Sequence, residues 1–191
     1  RWTVVDEGTD GTPSKWVLHR KAFEQTSNIN ASDAPKYSGT YALAGEAGWR
    51  DYTFSLIMRS QDNDGIGIIF RYTDANNYYR FRWSGAKSLW NGRVLDRVVD
   101  GQWTMLASDN VGYTDNVYHN VMVRLAGEQI TLYVDDLTTP VFDLRDAGLT
   151  VDTTSLLYSY RCSSTVCEFI RKHIGRMNFH ADVLADEFTD R

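Results

Sequence analysis

Four arginines, Arg59, Arg71, Arg80 and Arg82, fall opposite apolar residues in stretches where polar and apolar side chains alternate. A guanidinium is a planar fork of N–H donors that pairs bidentately with a carboxylate or a sulfate, so several on one surface suit an anionic ligand. Tyr78 lies in the same alternation, while Trp90 stands in a turn at 88–92, where an aromatic ring can stack on the C–H face of a sugar. Tyr113 is a second turn aromatic. Arg59, Arg71, Tyr78, Arg80, Arg82 and Trp90 are thus the candidate ligand-binding residues, and a uronic-acid or sulfated glycan suits them better than a neutral one. The competing reading makes the arginines a solvated face, cross-strand partners of Asp51 and Asp74. Arg80 and Arg82 leave one face of a strand about 6–7 Å apart. Converting both to Gln should weaken an acidic glycan at least about tenfold and leave the thermal midpoint nearly unchanged.

The run Asp62-Asn63-Asp64-Gly65 brings hard oxygen donors together, which is calcium chemistry. The same residues are also ordinary hairpin-turn chemistry, and no Glu follows at the spacing of an EF-hand loop. Cys162 and Cys167 form a Cys-x4-Cys pair without the further ligands that zinc requires, leaving a small disulfide-closed loop or two free thiols. No nucleophile elbow, phosphate loop, dinucleotide fingerprint or His-Glu-x-x-His run occurs.

The elements that carry these residues read as strands. In 51–59, Tyr52, Phe54, Leu56 and Met58 oppose Asp51, Thr53, Ser55, Ile57 and Arg59; in 65–72, Ile66, Ile68, Phe70 and Tyr72 oppose Gly65, Gly67, Ile69 and Arg71. Tyr79, Phe81 and Trp83 then oppose Tyr78, Arg80 and Arg82. A period of two marks half-buried antiparallel strands, and the turn-rich stretches 60–65 and 73–77 predict two consecutive hairpins. Further strands are expected at 103–107, 117–125, 130–135, 155–161 and 176–188, with a helical turn or two at 166–174. Trp16, Trp49 and Trp103 sit in strand-like contexts and are expected in the core. Strand after strand at intervals of roughly 8–12 residues predicts an all-β antiparallel β-sandwich or jelly roll.

The 191 residues, 42% of them hydrophobic, suffice for a sizeable core, and no linker, repeat or low-complexity run divides 1–191, so one domain is expected. An aromatic content of 13% excludes a disordered tail. No run approaches the roughly 20 apolar residues needed to span a bilayer, so no membrane insertion is expected. A net charge of −5 argues against nucleic acid as a partner. The chain begins at Arg1 without Met or a signal segment, as expected of a mature or excised fragment. Asn30-Ala31-Ser32 is an acceptor sequon.

Three runs carry a family resemblance: Trp49-Arg-Asp-Tyr-Thr-Phe-Ser, then Arg59-Ser-Gln-Asp-Asn-Asp-Gly-Ile-Gly-Ile-Ile-Phe-Arg-Tyr, then Asp74-Ala-Asn-Asn-Tyr-Tyr-Arg-Phe. They resemble the concanavalin A-like lectin/glucanase jelly rolls, in particular laminin-G-like modules found beside bacterial polysaccharide-degrading enzymes. They are similar also to the C-terminal lectin-like domain of thrombospondins. The resemblance extends to about residue 135 and then thins. It implies a secreted, carbohydrate-binding module-like domain of a larger multidomain protein, with a polysaccharide or other glycan as partner. It also implies a structural calcium where the first and last strands meet, for which the chain offers Asp6 and Glu7 with Asp182 and Asp186, beside the Asp62 and Asp64 turn. A fold hosts many functions, so two alternatives stand: a jelly-roll polysaccharide lyase or glycoside hydrolase, and an adhesion or interaction module. The paired-carboxylate strand Glu-x-Asp-x-x-Glu of such hydrolases and the Gln-x-His strand of such lyases are both missing. His119, on a core row, or His180 could serve as a base with Tyr78 or Tyr118.

Overall fold

The computed structural model describes residues 2–8, 11–19, 22–29, 39–45, 49–86 and 92–147, with the backbone of two later strands. In chain order the strands are β1 (Thr3–Glu7), β2 (Trp16–His19), β3 (Ala22–Gln25), β4 (Gly39–Leu43), β5 (Thr53–Ser60), β6 (Ile66–Asp74) and β7 (Asn77–Ser84). They continue with β8 (Gly92–Val99), β9 (Gln102–Asp109), β10 (His119–Ala126), β11 (Gln129–Val134), β12 (Phe142–Arg145), β13 (Thr154–Ser159) and β14 (Thr165–Glu168). Two seven-stranded antiparallel sheets result, ordered β1-β4-β13-β6-β7-β8-β9 and β12-β11-β10-β5-β14-β3-β2. No helix occurs among the described residues.

The period of two explains the layering. Ile66, Ile68 and Phe70 of β6 and Tyr79, Phe81 and Trp83 of β7 face Phe54, Leu56 and Met58 of β5 and Val121, Val123 and Leu125 of β10, all in one buried cluster between the sheets. Each such side chain stabilises the fold by roughly 1.5–3 kcal/mol through the apolar surface it removes from water. Trp16 joins them as expected, its indole N–H donating to Thr40 Oγ1 at 2.9 Å.

Alternation identifies a strand's inner face but not its neighbour, and that limit shows at the first expected hairpin. β6 and β7 do pair, but β5 pairs with β10 and β14 in the opposite sheet. Residues 61–65 therefore cross from one sheet to the other instead of closing a hairpin. Val166 to Glu168, expected in a helical turn, lie in β14. The expected strand at 176–188 lies outside the described residues.

At the end of β9, Arg93 Nη2 donates to Asp109 Oδ2 at 2.6 Å. Desolvation pushes the Asp109 carboxyl up, but the Arg93 guanidinium and the Val111 N–H pull it down further, so it lies below the ordinary carboxylate range. A carboxyl lowered on folding contributes stability that is present above its unfolded value and lost as the pH falls through the folded one. Asp109→Asn should accordingly cost about 0.5–1 kcal/mol at pH 7, the pair being partly solvated. The penalty should shrink toward zero in the acid limb, as read by denaturant melts of parent and variant. A penalty independent of pH would contradict this account of Asp109.

Candidate functional site

The outer face of the first sheet carries an unusual density of large polar side chains. Because Tyr79, Phe81 and Trp83 point inward, Tyr78, Arg80 and Arg82 must point outward. Arg80 Nε donates to Asp96 Oδ1 at 3.0 Å and its Nη2 to Asp96 Oδ2 at 3.1 Å, while Arg82 Nε donates to the same Oδ2 at 2.9 Å. The Arg80 and Asp96 side chains are 0% exposed and that of Arg82 is 19% exposed. Two guanidiniums share one carboxylate, and Arg82 is the member that reaches solvent.

Beside this triad lies a buried apolar and phenolic cluster, Tyr41, Ile69, Tyr78 and Val98, with Val5, Leu43 and Tyr72 against it, so the candidate Tyr78, 1% exposed, offers no surface to a ligand. Tyr72 stacks on Tyr78 with centroids 6.1 Å apart, and the Tyr41 hydroxyl donates to Glu7 Oε1 at 2.6 Å. Burial, then the neighbouring Glu7 charge, raises the Tyr41 hydroxyl far above its ordinary value, so Tyr41 acts only as a neutral donor. Glu7 accordingly belongs to this face.

Register extends the face to the open edge at β9. Asp96 lies between Arg80 and Met105, and Val98 between Tyr78 and Trp103. Trp103 is 37% exposed and Met105 is 51% exposed. Trp103 is therefore not the core residue its strand context predicts. A row is buried only if another layer covers it, and β9 is the last strand of its sheet. The spacing 103/105 does place both side chains on one face, and that was the available signal. Trp49 is half-buried, its ring edge-on to Tyr52 at 6.3 Å.

The four arginines do not share one surface. Arg59 sits on β5 of the opposite sheet, its Cζ 4.9 Å over the Tyr118 ring. Arg71 stands at a register shift between Phe70 and Asp74, with φ of 48°. The irregularity takes it off the outer face, where Tyr72 stands instead of in the core row. The Arg71 N–H donates to the Tyr52 hydroxyl at 3.0 Å and its guanidinium to the Gly127 carbonyl. The carboxylate that Arg80 and Arg82 use is Asp96; Asp51 instead accepts from the Gly127 N–H at 2.6 Å, and Asp74 from Asn76 and Asn77. Trp90 lies outside the described residues.

The Asp62–Asp64 run serves its own turn. Asp62 Oδ1 accepts from Ser60 Oγ at 3.1 Å and from the Asp64 N–H at 3.2 Å, and the Tyr113 hydroxyl donates to the carbonyls of Asp62 and Asp64. Tyr113 is thus a buried clasp, edge-on to Trp83 at 5.6 Å, and not an open turn aromatic. Gly112 permits that clasp, since a Cβ there would stand 2.5 Å from the Ala86 backbone. On β1, Asp6 Oδ2 accepts from the Ser14 N–H at 2.8 Å, whereas Oδ1 is buried without a donor. Among the described residues no three His, Cys, Asp or Glu side chains converge as a metal cage. Asp182, Asp186, His180 and Cys162 lie outside the described residues, and Cys167 is described by its backbone alone.

His119 faces the core, its ring 4.6 Å from that of Trp83 and its Nδ1 2.8 Å from Asp135 Oδ2. Tyr78 is on the outer face of the other sheet and Tyr118 points away from the core, so neither shares a reaction centre with it.

No family model matches the chain. A curated relative, an extracellular exo-alpha-L-arabinofuranosidase of Streptomyces chartreusis, is 28% identical over 140 residues, which are 70% of this chain and 16% of that protein. Among solved structures, the carbohydrate-binding module CBM66 from Bacillus subtilis superposes with a TM-score of 0.65 at 18% identity, over 87% of this chain and 91% of that one. A Bacillus licheniformis β-glucanase gives 0.55 at 11% identity, over 87% and 78% of the two chains. The Caenorhabditis elegans galectin LEC-6 gives 0.51 at 11%, over 66% and 89%. The chain shares the antiparallel jelly-roll β-sandwich fold of these structures.

Proposed function

We propose that this chain is a secreted carbohydrate-binding module of a larger polysaccharide-degrading protein, and that it holds its glycan at the β9 side of the outer face of the first sheet, where Trp103, Met105 and Arg82 reach solvent. The observation that carries this is the exposed pair Trp103 and Met105, set two strands from the half-buried Arg82 on one continuous face. An indole offers a flat apolar platform for the C–H face of a sugar, and Arg82 offers charge-assisted hydrogen bonds to a carboxylate or sulfate. The Arg82 guanidinium, the member of the Arg80–Asp96–Arg82 group that reaches solvent, favours an acidic glycan over a neutral one. Similarity to an extracellular arabinofuranosidase and to a carbohydrate-binding module supports the placement beside an enzyme outside the cell.

A structural calcium near Asp6 is part of the same proposal, because Asp6 Oδ1 is a hard, buried oxygen without a donor. The Asp62 turn fits less well, its oxygens being engaged locally. Chelation should lower the thermal midpoint of the full chain and added calcium restore it; a midpoint indifferent to both contradicts the ion.

Affinity electrophoresis against arabinan, β-glucan, pectic and sulfated polysaccharides tests the function. Retardation by at least one polysaccharide, strongest and salt-sensitive with an acidic one, is expected. Release of reducing ends or of unsaturated uronates would instead make the chain an enzyme, and indifference to every glycan would overturn the reading.

A further inference from the structure

We propose a second carbohydrate-contact surface at the start of β10, built by Tyr118, Asn120 and Asp135 with Arg59 behind them, that takes a neutral sugar ring with adjacent free hydroxyls. It rests on the carbohydrate-binding reading above but lies on the opposite sheet from Trp103.

Tyr118 is 51% exposed, an unusual position for a phenol ring unless something holds it. What holds it is Arg59, whose guanidinium carbon lies 4.9 Å over the ring and whose Nε is buried without a hydrogen-bond partner. A cation on one face fixes the ring while leaving the other face free to stack. The loop before it is pinned as well, through the Asn116 N–H donating to the Ser60 carbonyl at 2.7 Å. Because His119 points into the core, Tyr118 and Asn120 must leave the outward face together, about 6–7 Å apart along the strand.

Asp135 completes the set. Its Oδ1 accepts from the Asn120 N–H at 3.0 Å and its Oδ2 lies 2.8 Å from His119 Nδ1, yet the side chain remains 53% exposed. A carboxylate has about four lone-pair sites, so a group fixed through two of them still accepts two hydroxyls. Two non-glycine residues flank this surface in the left-handed region, Asn116 with φ of 64° and Asp135 with φ of 62°. Aromatic face, fixed carboxylate and amide together match a ring that shows C–H on one side and paired hydroxyls at its rim. The only full positive charge among these groups lies behind the phenol ring, so this surface gives no preference for an acidic sugar.

The test titrates the full chain with arabino-oligosaccharide and mixed-linkage β-glucan hexasaccharides, followed by NMR in the parent and in W103A, Y118A and D135N. Asparagine tolerates the left-handed backbone at 135, so D135N keeps the fold, and Tyr118 is exposed enough that Y118A does too. In W103A the Tyr118 ring and Asn120 side-chain amide signals should still shift, within about twofold of the parent affinity. Y118A, read at the Asn120 amide, and D135N, read at both signals, should each weaken the affinity at least about tenfold with unchanged melting, a loss typical of one stacking or charge-assisted contact. If only Trp103 signals move with these probes, the second surface is overturned and the first stands. If no signal at either surface moves with these or with acidic oligosaccharides, both readings fall.

Discussion

An Asp96→Ala variant is expected to lose about 3–5 kcal/mol of stability, because removing one partner of a buried ion pair leaves the other uncompensated. Here the loss leaves two guanidiniums: Arg80, fully buried, and Arg82, mostly so. Arg82 can swing toward water and Arg80 cannot, so the cost arises mainly at Arg80. In a chain of this length such a change lowers the midpoint by about 6–20 °C. Arg80→Gln should fall in the same range, leaving Asp96 with Arg82 alone, whereas Arg82→Gln should shift the midpoint only slightly. Thermal melts of the three variants check this ordering. Equal stability of all three would mean that the triad is solvated. The structure therefore divides the Arg80–Arg82 pair: alternation alone treats them as equivalent ligand residues whose joint loss spares the fold, and only Arg82 retains that description.

The second large effect is on binding. Trp103→Ala should weaken glycan binding at least about a hundredfold, since an aromatic anchor on an open surface supplies much of the contact area. Its cost to folding should be about 1–2 kcal/mol, well below that of a core tryptophan, because the ring is 37% exposed and the rest of it packs on the sheet. Arg82→Gln should weaken an acidic glycan about tenfold and leave a neutral one nearly unaffected. Calorimetry on the three proteins with one acidic and one neutral polysaccharide separates these effects. A Trp103→Ala variant that binds like the parent would remove the β9 edge from the site.

Much of the fold was legible because burial imposes a period of two. Phe54, Leu56, Ile66, Ile68, Phe81, Val121 and Val123 all face inward as their alternation requires. Strand β8 was not legible. Arg93 to Val99 mixes charged and apolar residues on both faces because Leu95 enters the core while Asp96 is buried on the other side between two arginines. Without a legible β8, nothing in the alternation places Asp96 against Arg80, and that contact is why Arg80 is not free. Arg71 departs from its alternation for a different reason: a single irregularity after Phe70 reverses the parity of the rest of β6, and no residue type in 70–74 marks it. Trp103 failed because an edge strand has the same alternation as a central one and differs only in what covers it. Arg59 lies on the non-core side of its strand as alternation requires, but strand parity says nothing about which of two sheets the strand joins.

The most direct measurement is a heteronuclear NMR titration of the full chain with whichever polysaccharide fragment retards it most strongly in electrophoresis. The account predicts that the Trp103 indole N–H and the Arg82 Nε–H signals move together and saturate at one ligand concentration. The Trp16 indole N–H, bonded to Thr40 inside the sandwich, should stay fixed. Binding that saturates by calorimetry while the Trp103 and Arg82 signals remain in place would contradict a glycan site on the outer face of the first sheet.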